Sequence, residues 1–510
     1  ARLVTLADAK YQDMLPNQAE ALALGGRIVA GHFAPLNRDG GYTQTGRTQG
    51  FIVEPNSVAK ARSEYLLTKA SDYFKGKGVF QLPGDAGRVV FNAQDSLNLI
   101  GQLVAKREAG YRGAEVDIAA PKLAVMSPGG APLTAAEKSE KYVELDADAL
   151  NALGAESLLL GGTRSVRPDG DGVDIQVVSE KMIVANAETA TEKHALKGPE
   201  IILAATKEVL VKTGSAIQGE GASTARTDKL NITNANGDGA LLRVASGPQV
   251  AVQRNAASGA AGNLILETGS KVGATGSLNF DATKNTELDG NIALGAGAGL
   301  ALAAGSISLG DVAGVKDGLK YDDGAFGALL KTTDDLRLRS YKTIDFYGPL
   351  DMTALLDGKA APNLRLEAQG LVGHKNSLNA DPNVILAGNQ VYLSNSTGKE
   401  ITPTVGTGSF EIQANEIRTG QGNFAISGFA QTKLTANQQI IADGVGSIVS
   451  AAPLTLTARR VTATAASQYA FKSSGDLTLY APQAGKANAL LQSVPGTELA
   501  FEGGKVTLGS

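Results

Sequence analysis

Apolar and polar residues alternate in short blocks that recur near the C-terminus at an almost fixed interval. The blocks are Phe410–Ile412–Ala414, Thr432–Leu434–Ala436, Leu454–Leu456–Ala458, Leu477–Leu479–Ala481 and Leu499–Phe501–Gly503. Their central residues, Ile412, Leu434, Leu456, Leu479 and Phe501, lie 22, 22, 23 and 22 positions apart. Alternation with period two predicts strands with one buried face. An interval near 22 residues predicts that successive turns of chain stack and bury the same face again, which is the pattern of a solenoid.

The same block recurs upstream at Leu97–Leu99–Gly101, Val116–Ile118–Ala120, Val209–Val211–Thr213, Val250–Val252 and Leu264–Leu266–Thr268. It continues at Leu278–Phe280–Ala282, Leu300–Leu302–Ala304, Leu336–Leu338–Ser340 and Leu364–Leu366–Ala368. Small residues after two inward ones suit a sharp bend in a crowded interior. Spacing widens to 36 positions between Leu302 and Leu338 and to 28 between Leu338 and Leu366, so Asp311–Ala325 and Tyr347–Pro362 are expected to be lateral insertions. Pro132–Leu153 is charged and mildly helical, and is expected to be a side excursion. Residues 1–85 lack the rhythm and hold Tyr11, Tyr42, Tyr65 and Tyr73, with one short helix expected over Val58–Ala70. The expected organisation is therefore an irregular module over 1–85, a repeat body with insertions over 86–407, and regular repeats over 408–510. The expected fold is all-β: a right-handed parallel β-helix with three short strands per turn, its hand taken from the preference of strand twist. At roughly 4.8 Å per turn it makes a rod on the order of 90 Å.

Composition agrees with a narrow aliphatic interior: 62 glycines, 13 phenylalanines and no tryptophan, with 43% hydrophobic residues. The 47 basic and 51 acidic residues form no basic stripe with interleaved aromatics, so no nucleic-acid partner is expected. Zero cysteines exclude disulfides and thiolate metal sites. Asn291–Gly310 is apolar enough for a membrane helix, but its glycines and the pairs Ile292–Leu294, Leu300–Leu302 and Ile307–Leu309 favour stacked strands.

Five stretches add a more particular likeness. Asp85–Ala93 (DAGRVVFNA) leads through Leu97–Leu99 to Arg112–Ala119 (RGAEVDIA); Leu150–Arg164 and Gly198–Ala205 (GPEIILAA) follow, after an entry at Tyr11–Pro16. With the repeats from Gly408 to Gly509, they resemble the later region of the filamentous haemagglutinin family, large exoproteins secreted by the two-partner route. That resemblance implies a β-helical shaft at the surface of a Gram-negative bacterium or outside it, serving adhesion, aggregation or filament building. The partners it implies are an outer-membrane transporter, engaged through a domain outside this segment, a receptor or glycan on a host or neighbouring cell, and copies of the same chain end to end. The final strand at Lys505–Ser510 has no polar cap, so further chain or a docked copy is expected there. A second reading makes the shaft the carrier of a toxin domain beyond Ser510.

The resemblance brings no catalytic set, and no catalytic, cofactor-binding or metal-binding residue is predicted. Three local features were weighed. Asp322–Asp323 and Asp334–Asp335 with Gly373-His374-Lys375 supply the residue types of a polysaccharide-cleaving β-helix without its flanking motifs, and solvated turns are the better reading. Asp169, Asp171 and Asp174 cluster as a calcium loop would, but their spacing fits an Asp-Gly turn entering a strand better. His32, His194 and His374 are too few and too far apart for a histidine-rich metal site. Asn415 and Asn437, which follow the small residue in consecutive repeats, are expected to form hydrogen-bonded ladders or turn contacts that are structural and carry no specificity.

Overall fold

The computed structural model describes residues 2–23, 25–37, 41–61, 69, 84–101, 103–167, 170, 172–188, 191, 193–224, 229–234, 237–255, 257–481 and 496–509. The chain forms two compact units, Ala1–Leu82 and Pro83–Ser510. The first is not irregular. Arg2–Thr5, Gln49–Glu54, Arg27–Gly31 and Ala19–Ala21 form a four-stranded antiparallel sheet in that spatial order. Ile28 and Phe51 are buried with Met14, and Phe33 meets Phe51 edge to face at 5.4 Å. The strands are three to six residues long and differ in spacing, too short to show a rhythm in sequence. A helix spans Asn56–Ala61; the rest of the stretch expected to be helical lies outside the described residues, apart from Lys69.

The second unit is all-β with mainly parallel sheets. Its long sheet has sixteen strands, among them Arg88–Asn92, Glu115–Ala119, Ser157–Leu160, Glu200–Ala205 and Ala240–Ala245 toward one end. Register places one apolar column through ten of its strands: Phe91, Ile118, Leu160, Leu203, Leu242, Phe280, Leu302, Leu338, Leu366 and Leu393 are successive partners. A second column joins Leu386, Ile412, Leu434, Leu456, Leu479 and Leu508. The four blocks from Phe410 to Ala481 are therefore stacked in register. The fifth is not: Glu498–Glu502 pairs with Gln468–Ser473 in a separate eight-stranded parallel sheet, where Phe501 stacks on Phe471 at 5.8 Å. Val506–Gly509 is the next member of the long sheet instead. Leu97–Leu99 forms no strand either, although both leucines pack on the core.

The chain visits its sheets in a repeating order. Glu200–Ala205 of the long sheet is followed by Glu208–Val211 in a six-stranded parallel sheet, then by Ala216–Gly219 in a four-stranded one. The order recurs with Ser277–Ala282, Asn285–Leu288 and Asn291–Leu294. Between Ile307 and Ser394 every strand belongs to the long or the eight-stranded sheet, and from Ser409 onward the two sheets alternate strand by strand. From Asn383 onward, single strands of 10 to 12 residues replace two short ones. Within Ser409–Thr419 the inward phase switches from Ile412 and Ala414 to Ile417 and Thr419, so one strand turns a corner; Thr432–Ala442 carries an extra residue after Ala436, where the register shifts. All these sheets send aliphatic side chains into a single buried cluster.

Two features depart from a uniform parallel stack. Ala240–Ala245 runs antiparallel to both long-sheet neighbours. A further four-stranded sheet, Gly162–Val166, Val173–Val177, Lys229–Ile232 and Ala251–Arg254, covers the outer face of the long sheet, and its Ile175, Leu230 and Val252 form a second core with Leu159, Ile202 and Leu241. The expected insertions are also more than lateral loops. Helices Asp323–Leu330 and Met352–Leu356 place Phe326, Leu330, Met352 and Leu356 in the main core. Within Pro132–Leu153, a capped helix at Ala135–Ser139 does stand aside, but Val143–Asp146 adds an edge strand to the six-stranded sheet.

Candidate functional site

The bend in three of the long strands holds Asn389, Asn415 and Asn437, and Asn363 opens the neighbouring short strand. Asn389 donates Nδ2 to Asn363 Oδ1, Asn415 to Asn389, and Asn437 to Asn415, each at 3.0 Å. All four asparagines are exposed. They line a groove of about 750 Å³ that crosses four strands of the long sheet, with Ala387, Gly388 and Ala414 as its floor and Glu411, Gln413 and Thr435 beside the ladder. Glu411 accepts from Gln413 Nε2 at 3.2 Å and from Thr435 at 3.5 Å, while Asp334 at the groove's end is paired with Lys359 at 3.0 Å. Beyond the corner a second polar row runs parallel: Gln390 and Gln439 both donate to Glu416 at 2.6 Å, Arg418 joins at 2.7 Å, and Arg460 donates to Gln439. Partial burial would raise the Glu416 carboxyl, but these donors hold it below the ordinary carboxylate value.

The ladder was legible for Asn415 and Asn437. Asn389 follows a small residue, Gly388, and could have been found by the same offset; Asn363 follows Pro362 and could not. The groove, Glu411 and Gln413 needed the structure, because which outward residues share a concavity depends on strand curvature.

The ingredients of polysaccharide cleavage are dispersed. Asp322 caps helix Asp323–Leu330 by accepting from Ala325 N at 2.8 Å. Asp335 opens a long-sheet strand, and burial pushes its carboxyl up against the pull of Arg365 and Arg337. His374 lies in the eight-stranded sheet, bonded to Asp345 at 2.8 Å and stacked on Tyr347 at 4.8 Å, and Lys375 pairs with Asp381 at 2.8 Å. His32 Nδ1 meets the Thr45 carbonyl at 2.8 Å, and His194 Nδ1 meets Asp148 at 2.6 Å. No group of metal-ligating side chains gathers among the described residues. Asp169 and Asp171 lie outside them; Asp174 sits in strand Val173–Val177, paired with Arg167 at 3.2 Å.

The densest electrostatics are structural and were not anticipated. Between the long sheet and its covering sheet, Asp117 accepts from Arg164 Nε at 2.6 Å, Arg164 reaches Ser157 at 2.7 Å, and Ser157 donates to Glu200. Glu200 accepts from Arg243 Nε at 2.6 Å, and Arg243 ends on Ser277 at 2.9 Å. A second set joins Arg254 and Tyr341 to Asp281 at 2.6 and 2.9 Å. These chains pair charges that strand alternation places under the cover, although Arg254 Nη2 is left without a hydrogen-bond partner among the described residues.

Among the described residues, no helix is long and apolar enough to cross a membrane, and Asn291–Leu294, Gly299–Ala304 and Ile307–Gly310 are strands. No family model, curated protein or solved structure matches the chain.

Proposed function

We propose that residues 83–510 wind as a right-handed parallel β-helix and serve as the shaft of a secreted or cell-surface structural and adhesive protein, like the filamentous haemagglutinin exoproteins that its sequence resembles. The observation that carries this reading is the repeating visit to the same sheets while one apolar column passes from strand to strand. Such a stack lengthens without new folding information, because each turn contacts mainly its neighbours. The fifteen strands on the main path of the long sheet, at the usual spacing between strands, give a shaft on the order of 70 Å. Polar ladders on its outer face and an interior of buried aliphatic residues suit a mechanical and binding role in which no reaction centre is assembled. Secretion through an outer-membrane transporter, and end-to-end association into filaments, belong to the same proposal.

Cryo-electron microscopy of the full chain tests it. A shaft with density layers spaced at about 4.8 Å is expected. Separate compact lobes, or strands 432–442 and 454–463 lying apart, would overturn the coil. Immunogold labelling of intact cells tests the location, with surface label expected and label confined to the cell interior counting against it.

A further inference from the structure

We propose that the asparagine-lined groove binds a neutral, hydroxyl-rich glycan chain lying along the stack, an inference that rests on the adhesive reading above and names its ligand class. The ladder itself supplies the chemistry. An amide carries two N–H donors and an oxygen with two lone pairs. Asn389 and Asn415 each use one donor and one acceptor on the rungs below and above. Every such rung therefore leaves one donor and one acceptor facing the groove, repeated at the strand spacing of roughly 4.8 Å. A pyranose ring with its linkage advances by nearly one such spacing and offers a hydroxyl that both donates and accepts. An extended peptide matches poorly, since its like-facing groups recur every two residues, about 6.7 Å.

Size and charge narrow the class. About 750 Å³ across four strands is room for a few sugar units. The floor of Ala387, Gly388 and Ala414 is flat and small, leaving space for rings close to the sheet. Glu411 stands over it with no basic side chain lining the groove, and Asp334 is already offset by Lys359. An acidic polysaccharide would bring carboxylates or sulfates against Glu411, so neutral chains are selected. Glu411 and Gln413 act as the side wall, able to accept from and donate to hydroxyls on the ring edge.

The test is binding of the full chain to immobilised neutral hexasaccharides (cello-, manno-, xylo- and chito-series) beside acidic ones (oligogalacturonate and a heparin fragment). Saturable binding to at least one neutral series is expected. Ala360→Trp, at an exposed position on the groove wall, should abolish it while leaving the ladder in place. Gln413→Ala should weaken it by roughly three- to tenfold, the loss of one hydrogen bond. Binding only to acidic chains, binding to none, or neutral binding unaffected by Ala360→Trp would each overturn the inference. Scattering and circular dichroism on the same samples separate the two levels: an intact elongated β shaft that ignores neutral glycans sinks the ligand class alone, whereas loss of the shaft sinks the reading beneath it.

Discussion

Glu200 shows how a single residue decides whether the covered region holds. Burial alone would push its carboxyl up, but the Arg243 charge, the Ser157 hydroxyl and Arg164 together keep it below the ordinary value of 4.5. A depressed carboxylate contributes stability above its unfolded value and loses it as pH falls through the folded one. Arg243→Ala, which strands the buried Glu200 charge, is expected to cost about 3–5 kcal/mol at neutral pH. Part of that penalty should disappear on acidification, because burial without Arg243 raises the Glu200 carboxyl and lets it take up a proton earlier in the variant; urea midpoints at neutral and acid pH read this directly. Glu208 carries the opposite sign. Burial raises it, helped by Glu140, Glu137 and Glu287 against the pull of Lys181. Its ionised form works against folding at neutral pH, so Glu208→Gln should raise the neutral midpoint, and its advantage over the parent chain should shrink as pH falls. An unchanged or lowered midpoint would contradict the assignment.

At the scale of elements, the alternating blocks were the legible part, and their limits are physical. Leu434 and Leu456 could be paired from spacing alone because nothing intervenes except one strand of the other sheet. Leu499–Phe501 shows the same alternation and nearly the same interval, yet sits in the other sheet, since a period of two does not record which sheet a strand joins. The covering sheet was hidden for the same reason. Its trace was present in Glu200–Ala205 (EIILAA) and Ala240–Ala245 (ALLRVA), runs in which every residue is buried, as in strands packed on both faces. The antiparallel direction of Ala240–Ala245 left no mark, because side-chain alternation is the same read forwards or backwards. Gly161 marks where the chain leaves the long sheet for the cover. It has φ +101°, and a Cβ there would lie 1.9 Å from the Ala204 carbonyl oxygen. Gly161→Ala should therefore cost about 1–3 kcal/mol from backbone strain alone, plus displacement of Glu200–Ala205. Gly214→Ala is the control, for its positive φ of +80° lies in open space, and a smaller loss is expected in thermal melts.

For the second unit as a whole, the decisive question is whether its turns are interchangeable. Thr432–Pro453 comprises one strand of the long sheet and one of the eight-stranded sheet, Thr432–Ala442 and Val445–Ser450. Removing it joins Gln431 to Leu454 and brings together residues already aligned through the missing layer: Ile412 with Leu456, Ala414 with Ala458, Phe424 with Phe471. Glu416 would then face Arg460 in place of Gln439, exchanging an amide contact for an ion pair. Nothing in the remaining core has to repack, so the shortened chain should keep its β circular dichroism and a cooperative melt, with a midpoint lowered only by the contacts of one layer. Deleting Thr432–Ala442 alone is the contrasting experiment. It removes fewer residues but takes a strand from one sheet while leaving Val445–Ser450 in the other, so the two sheets fall out of step and the columns through Leu434 and Ile448 cannot both close. That variant should aggregate or unfold. If the larger deletion is the more damaging of the two, the unit is not built of stacked equivalent turns, and the shaft, its groove and the filament it would support go with it.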